Sequence, residues 1–192
     1  WDLTSLGFNE EELAKLLGSA ATIGTDDFVV GDRAYRRNNL EGKDPVLKYN
    51  PGLLNEKVRQ ICNLHDSGVV FVPTYDDASG LAVAAGEENY HHKIKKVSFL
   101  IIEGDFQFLE NPDCIIFLNV PDNVRLRNRI SRDKQKRSES NIAKITESFE
   151  LRQKLQHLPY TLPVKDRADI VIDVQAVGRA GEFIYQYKLI ER

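Results

Sequence analysis

Methionine is absent from all 192 residues, cysteine occurs twice and histidine four times. Two cysteines exclude a disulfide framework. Cys62 and Cys114 each sit beside apolar residues, so burial as free thiols is expected. The histidines, two of them adjacent at His91 and His92, lack the ligand spacing of a zinc site. No stretch approaches the roughly 18 consecutive apolar residues of a membrane span. Trp1 to Gly7 carries neither a basic n-region nor an apolar h-region, so no signal peptide is read there. The lack of methionine and the opening at Trp1 suit a piece of a longer chain. The net charge is only -3, so no strong excess of either sign points to nucleic acid or a membrane surface. A cytoplasmic location is the default.

What remains is ordinary for a globular protein: 42% hydrophobic and 29% charged residues, enough chain for one domain with a sizeable core. There is no internal repeat, low-complexity tract or linker, so residues 1–192 read as a single domain.

The periodicity alternates between the two regular structures. Residues 9 to 17 read as a helix capped by Asn9, with Leu13, Leu16 and Leu17 on one face. Ala21 to Thr25 reads as a buried strand. A long polar loop follows, then a helix over Leu53 to Leu64. Val69 to Val72 is a strand bounded by Gly68 and Pro73. Leu81 to Ala85 and Tyr90 to Ile94 are expected to form a hairpin across residues 86–89. Val97 to Ile102 and Cys114 to Val120 are further strands. Helices are expected over about 122–134 and 139–157, and strands over Ile170 to Val174 and Glu182 to Leu189. Near-continuous apolar strands between helices predict a mainly parallel sheet with helices on both faces. Ligands of such sheets bind at the carboxyl ends of the strands. Asp26-Asp27, Tyr75-Asp76 and Glu103 fall at those ends.

Each of these has a chemical and a bland reading. Glu103, directly after a buried strand, can hold a water on Mg²⁺ or orient a nucleophile; it can also cap a loop. Asp26 or Asp27 can take the proton of a hydroxyl that attacks a phosphoryl group; either can also make an Asx turn. Arg125, Arg129 and Arg132 share one helical face, with Arg137 at the frayed end. Guanidinium groups there suit a transferring phosphoryl group. A solvated basic face is weakened by the scarcity of acids, Asp133 being the main one. A nucleic-acid patch lacks the interleaved aromatics.

The order of these features resembles the uridine kinase and phosphoribulokinase family. A strand then "TDDF", a long loop, "PTYDD", a strand then "EG", a strand then "NVPDNVRLRNRISRDKQKR", and "LPYTLPVKDRADIVIDV" carry the resemblance over about residues 20 to 174. It implies a three-layer P-loop-kinase-like α/β fold with an arginine-rich lid at about 125–140. It implies ATP-dependent phosphoryl transfer, with Mg²⁺, to a hydroxyl of a uridine-like nucleoside or a sugar-type acceptor. Asp26 is then the acid that activates the hydroxyl, and Glu103 lies near Mg²⁺. Arg129, Arg132 and Arg137 close on the phosphates, and lid closure excludes water. Asp27, Phe28, Arg33, Tyr75 and Asp76 would line the acceptor side. Pro163 to Asp169 would lie near the adenine. ATP and a small acceptor are the implied partners, with neither nucleic acid nor membrane; a homo-oligomer stays open.

Two departures qualify this. The family's G-x-x-x-x-G-K-[ST] loop does not occur in these residues: "LGFNEEELAKLLG" lacks Gly-Lys-Ser, and Gly42-Lys43 is followed by Asp44. The chain is therefore either a kinase whose loop lies outside these residues or a non-catalytic binding or regulatory relative. A nucleotide hydrolase of the same fold is a third reading. In addition, Tyr75-Asp76 is followed by Asp77-Ala78-Ser79-Gly80-Leu81, without the His and Arg that contact the nucleoside in uridine kinases. Arg33, Arg36, Arg37 and His91 or His92 could instead recognise a phosphorylated sugar, or simply lie on the surface.

Overall fold

The computed structural model describes residues 18–40, 43–83, 91–105, 107–137, 141–179 and 182–190. The helix expected over 9–17 and the turn expected at 86–89 lie outside the described residues. The described residues fall into two compact units, one reaching Asn111 and one starting at Pro112, and each is taken by itself.

The first unit is built on a parallel pair. Strand β1 (Ala20–Gly24) runs beside β5 (Phe99–Glu103) in a register that sets Ala20 opposite Phe99 and Gly24 opposite Glu103. Strand β2 (Val69–Tyr75) pairs antiparallel with β4 (His91–Lys95) along its first five residues and with β3 (Ala82–Val83) at its end. Among the described residues β3 and β4 each pair with β2, and the rest of the hairpin expected over 81–94 lies outside them. The backbone groups of β2 take both partners.

Two α-helices of this unit lie among the described residues. Asp32 opens α1 (Arg33–Leu40), its carboxylate accepting from Tyr35 N at 2.7 Å. Asn50 caps α2 (Pro51–Cys62) by accepting from Leu53 N at 3.1 Å, with Pro51 at the first helical position. Leu54 and Ile61, seven residues apart on one face, join Ile23, Phe28, Val70, Val72 and Ile94 in the core. Cys62 follows Ile61 and so turns off that face; it is exposed, as is Cys114 in the approach to the next strand. The expected burial of both thiols is therefore corrected. Asn55 is the buried polar exception in α2, and it is satisfied. Its Nδ2 donates to the Pro51 and Phe108 carbonyls, and its Oδ1 accepts from Glu110 N at 2.9 Å.

The second unit has a parallel pair of its own. Strand β6 (Ile116–Asn119) runs beside β7 (Ile170–Arg179), whose other side takes β8 (Glu182–Ile190) antiparallel. Between β6 and β7 come α3 (Asp122–Arg137) and α4 (Ile142–Arg152). The chain then runs on through a π-helix, Gln153–Thr161, and a 3-10 segment, Leu162–Arg167. Pro159 lies inside the π-helix and has no N–H to give it. Phe117, Val120, Val124, Ile145, Val164, Ala168, Val171 and Val174 are the buried apolar residues here. The result is an α/β fold with parallel strand pairs and helices.

Candidate active site

The carboxyl ends of β1 and β5 bring the acids of the first unit together. Gly24 and Glu103 end the two strands as partners, and the chain then turns through the 3-10 segment Thr25–Phe28. A Cβ placed on Gly24 would lie 3.5 Å from Asp27 Oδ2 and 3.8 Å from Glu103 Oε1, so both carboxylates flank this glycine. Asp26 is exposed, whereas Asp27 and Glu103 are half-buried.

Phe28 sits in the core at 1% exposure. It anchors the turn by packing.

Asp27 is a clasp. Its Oδ1 accepts from Tyr75 N at 2.8 Å and so fastens the turn to β2. Burial raises the Asp27 carboxyl above its ordinary value and the neighbouring Asp26 charge adds to this, while the N–H groups of Tyr75 and Gly24 oppose it. A raised carboxyl means that the folded chain holds this proton more tightly than the unfolded one. The stability it gives is present at low pH and is lost as pH rises through the folded value. Asn in its place keeps an acceptor for Tyr75 N without the charge. Asp27→Asn is therefore expected to melt no lower than the parent at pH 7, the gap closing as pH falls through the carboxylate range. Thermal unfolding without Mg²⁺ measures this. A loss above about 1 kcal/mol at pH 7 contradicts the assignment of burial as the dominant cause.

The residues expected on the acceptor side form a second cluster. Arg33 lies with its guanidinium 5.7 Å from the Tyr75 ring centroid, donates from Nε to the Tyr75 hydroxyl at 3.2 Å, and pairs with Asp77 at 3.3 Å. Arg36 donates to the Gly80 carbonyl at 2.8 Å. Asp76 is engaged in the turn that follows β2. Its carboxylate accepts from the Ser79 hydroxyl and from the Ser79 and Ala78 N–H groups, which holds it below the usual carboxylate value. His92 is exposed.

Sequence reading missed Tyr49, Asp105 and Thr25. A short antiparallel bridge sets Tyr49 beside Val29, with Val30 N donating to the Lys48 carbonyl and Asn50 N to that of Phe28. The Tyr49 hydroxyl donates to Asp105 Oδ2 at 2.9 Å, and Asp105 N donates to Thr25 Oγ1 at 3.1 Å. Burial, with the Asp105 and Asp26 charges, holds the Tyr49 phenol well above its usual value. Tyr49 is thus a proton donor within the field of Asp26. Nothing local marks it: it reaches the turn across twenty residues of polar chain.

The arginines belong to the second unit. Arg125 is buried at 3% exposure, pairs with Asp122 and lies 5.7 Å from the Phe149 ring centroid. Arg129 and Arg132 both pair with Asp133, each at 3.5 Å. Arg137 ends α3, and its side chain lies outside the described residues.

Mg²⁺ is compatible with the donor set. Among the described residues no group of three or more His, Cys, Asp or Glu could hold a metal alone. Mg²⁺ in phosphoryl-transfer sites takes only one or two carboxylates and completes its shell with water and phosphate oxygens. The oxygen of Glu103 at the strand end has the required chemistry.

A curated uridine kinase from Proteus mirabilis (strain HI4320) is 29% identical over 136 residues, which cover 68% of this chain. The chain spans 61% of the length of that relative. The solved phosphoribulokinase from Rhodobacter spheroides superposes with a TM-score of 0.58 at 18% identity, over 90% of this chain and 66% of that one. This is a likeness of fold. The family model described as Phosphoribulokinase / Uridine kinase family matches residues 21–179, well over half of the 192, and the chain belongs to that family.

Proposed function

We propose that the protein transfers the γ-phosphoryl group of ATP to a hydroxyl of a small molecule. The acid-bearing strand ends carry this reading. Gly24 and Glu103 are register partners, with an exposed Asp26 just beyond and Asp27 clasped to Tyr75. In the transfer, the acceptor oxygen forms a bond to the γ-phosphorus and the bond to the β,γ-bridging oxygen breaks. ADP leaves, and Asp26 receives the acceptor proton. Glu103 would hold Mg²⁺, which supplies neutralising charge on the phosphates. Arg129, Arg132 and Arg137 are assigned to the phosphates by the family motif they match. Arg33 and Tyr75 are assigned to the acceptor, a uridine-like nucleoside or a sugar. The same reading places the protein in the cytoplasm.

The test is ADP release with Mg-ATP against a panel of nucleosides and phosphosugars. Release that depends on one acceptor is expected and names the substrate. ATP consumption without an acceptor would mean a hydrolase. A second reading, a non-catalytic binding or regulatory relative, is favoured by the absence of G-x-x-x-x-G-K-[ST] from these residues. A full-length protein shown by intact mass to lack that loop, with no ADP release and no ATP binding, would establish it.

A further inference from the structure

On α3, a helix dense in arginine and lysine, Asp133 is buried at 5% exposure. A carboxylate so far from water is costly unless it is paired. Among its partners are the two arginines assigned above to the phosphates. Oδ2 lies 3.5 Å from Arg129 Nε, one turn earlier on the helix, and Oδ1 lies 3.5 Å from Arg132 Nε. Both pairs engage the inner nitrogen of the guanidinium group. Arg129 is held a second time, its Nη2 donating to Ser148 Oγ of α4 at 3.3 Å.

We infer that Asp133 is a positioning residue that presents Arg129 and Arg132 as a preformed pair to the polyphosphate of the nucleotide. The inference rests on the assignment of those arginines to the phosphates. Two guanidinium groups three residues apart repel each other, and each long side chain has many rotamers to lose. One shared carboxylate offsets the repulsion and removes the rotamers before the ligand arrives. Binding then avoids the ordering cost at the moment of contact. Simple charge counting gives the opposite sign: an acid beside the arginines should repel phosphate, and its loss should tighten binding. Packing alone gives a third outcome, in which every ligand weakens together.

Calorimetric titration of the full-length protein with Mg²⁺ and either ATP or AMP separates these. Asp133→Asn is expected to bind ATP about 10-fold more weakly, with AMP within about twofold of the parent. Asp133→Glu, which keeps the charge but moves it by one methylene, is expected to lose about threefold for ATP alone. Should the Asn variant not fold, the Glu variant decides. Unchanged or tighter ATP binding, or parallel weakening of ATP and AMP, overturns the inference. A parent that binds ATP but phosphorylates no acceptor sinks the kinase reading and leaves this inference to the affinity ratio. A full-length parent that does not bind ATP removes both.

Discussion

Asp26→Ala is expected to lower acceptor-dependent ADP release by about 10³-fold while ATP affinity stays within about twofold. The separation follows from where the side chain sits. Asp26 is exposed on a turn whose conformation is fixed by its neighbours. Thr25 is buried at 2% and accepts from Asp105 N, Asp27 holds Tyr75 N, and Phe28 packs in the core. Alanine at 26 therefore removes a carboxylate without removing a support of the fold. What it removes is the group proposed to take the acceptor's proton, so the loss should fall on kcat. Asp26→Asn should be as poor, because an amide cannot take that proton. Parent-like turnover in either variant, measured at saturating ATP and acceptor, would remove Asp26 from the mechanism and leave Asp27 or Glu103 as the acid to test.

The strand-end acids were legible because they follow apolar runs. "ATIG" then "TDDF", and "FLIIE" then "GD", announce both a strand and its end. The family order of motifs located the same residues. Other features were not legible, each for a physical reason. The segment read as a loop contains α1, a helix with Leu40 as its buried residue. With almost no apolar period to detect, only the cap at Asp32 marks its start. The expected helix over 139–157 exists as α4 but continues as a π-helix through Pro159, where proline normally signals a stop. Asp133 was visible only as the main acid in a basic helix; its burial between Arg129 and Arg132 shows what it pairs with. Tyr49 and Asp105 meet through a contact 56 residues apart in sequence, beyond any local pattern.

The glycine of "EG" shows how a motif letter becomes geometry, and it yields the largest expected effect on stability. Gly104 has φ +107, a conformation that side chains rarely adopt. A Cβ there would overlap the Thr25 hydroxyl oxygen and lie 3.3 Å from Thr25 Cβ. That hydroxyl is buried and accepts from Asp105 N, so it has no open direction in which to retreat. Gly104→Ala therefore adds a steric conflict to backbone strain, a cost of about 3 kcal/mol or more. It should also depress activity below the melting temperature, because the two atoms in conflict belong to the ends that carry Glu103 and Asp26. A double-mutant cycle with Thr25→Ala resolves the two contributions. Thr25→Ala alone should cost about 1–2 kcal/mol, through the half-buried N–H of Asp105 that it leaves without its acceptor. In that background the overlapping oxygen is gone, and Gly104→Ala should cost only the strain, about 1–2 kcal/mol. The double variant is thus expected to be more stable than the sum of the single losses allows. Strict additivity would mean that φ alone makes residue 104 a glycine, and that its closeness to Thr25 is incidental.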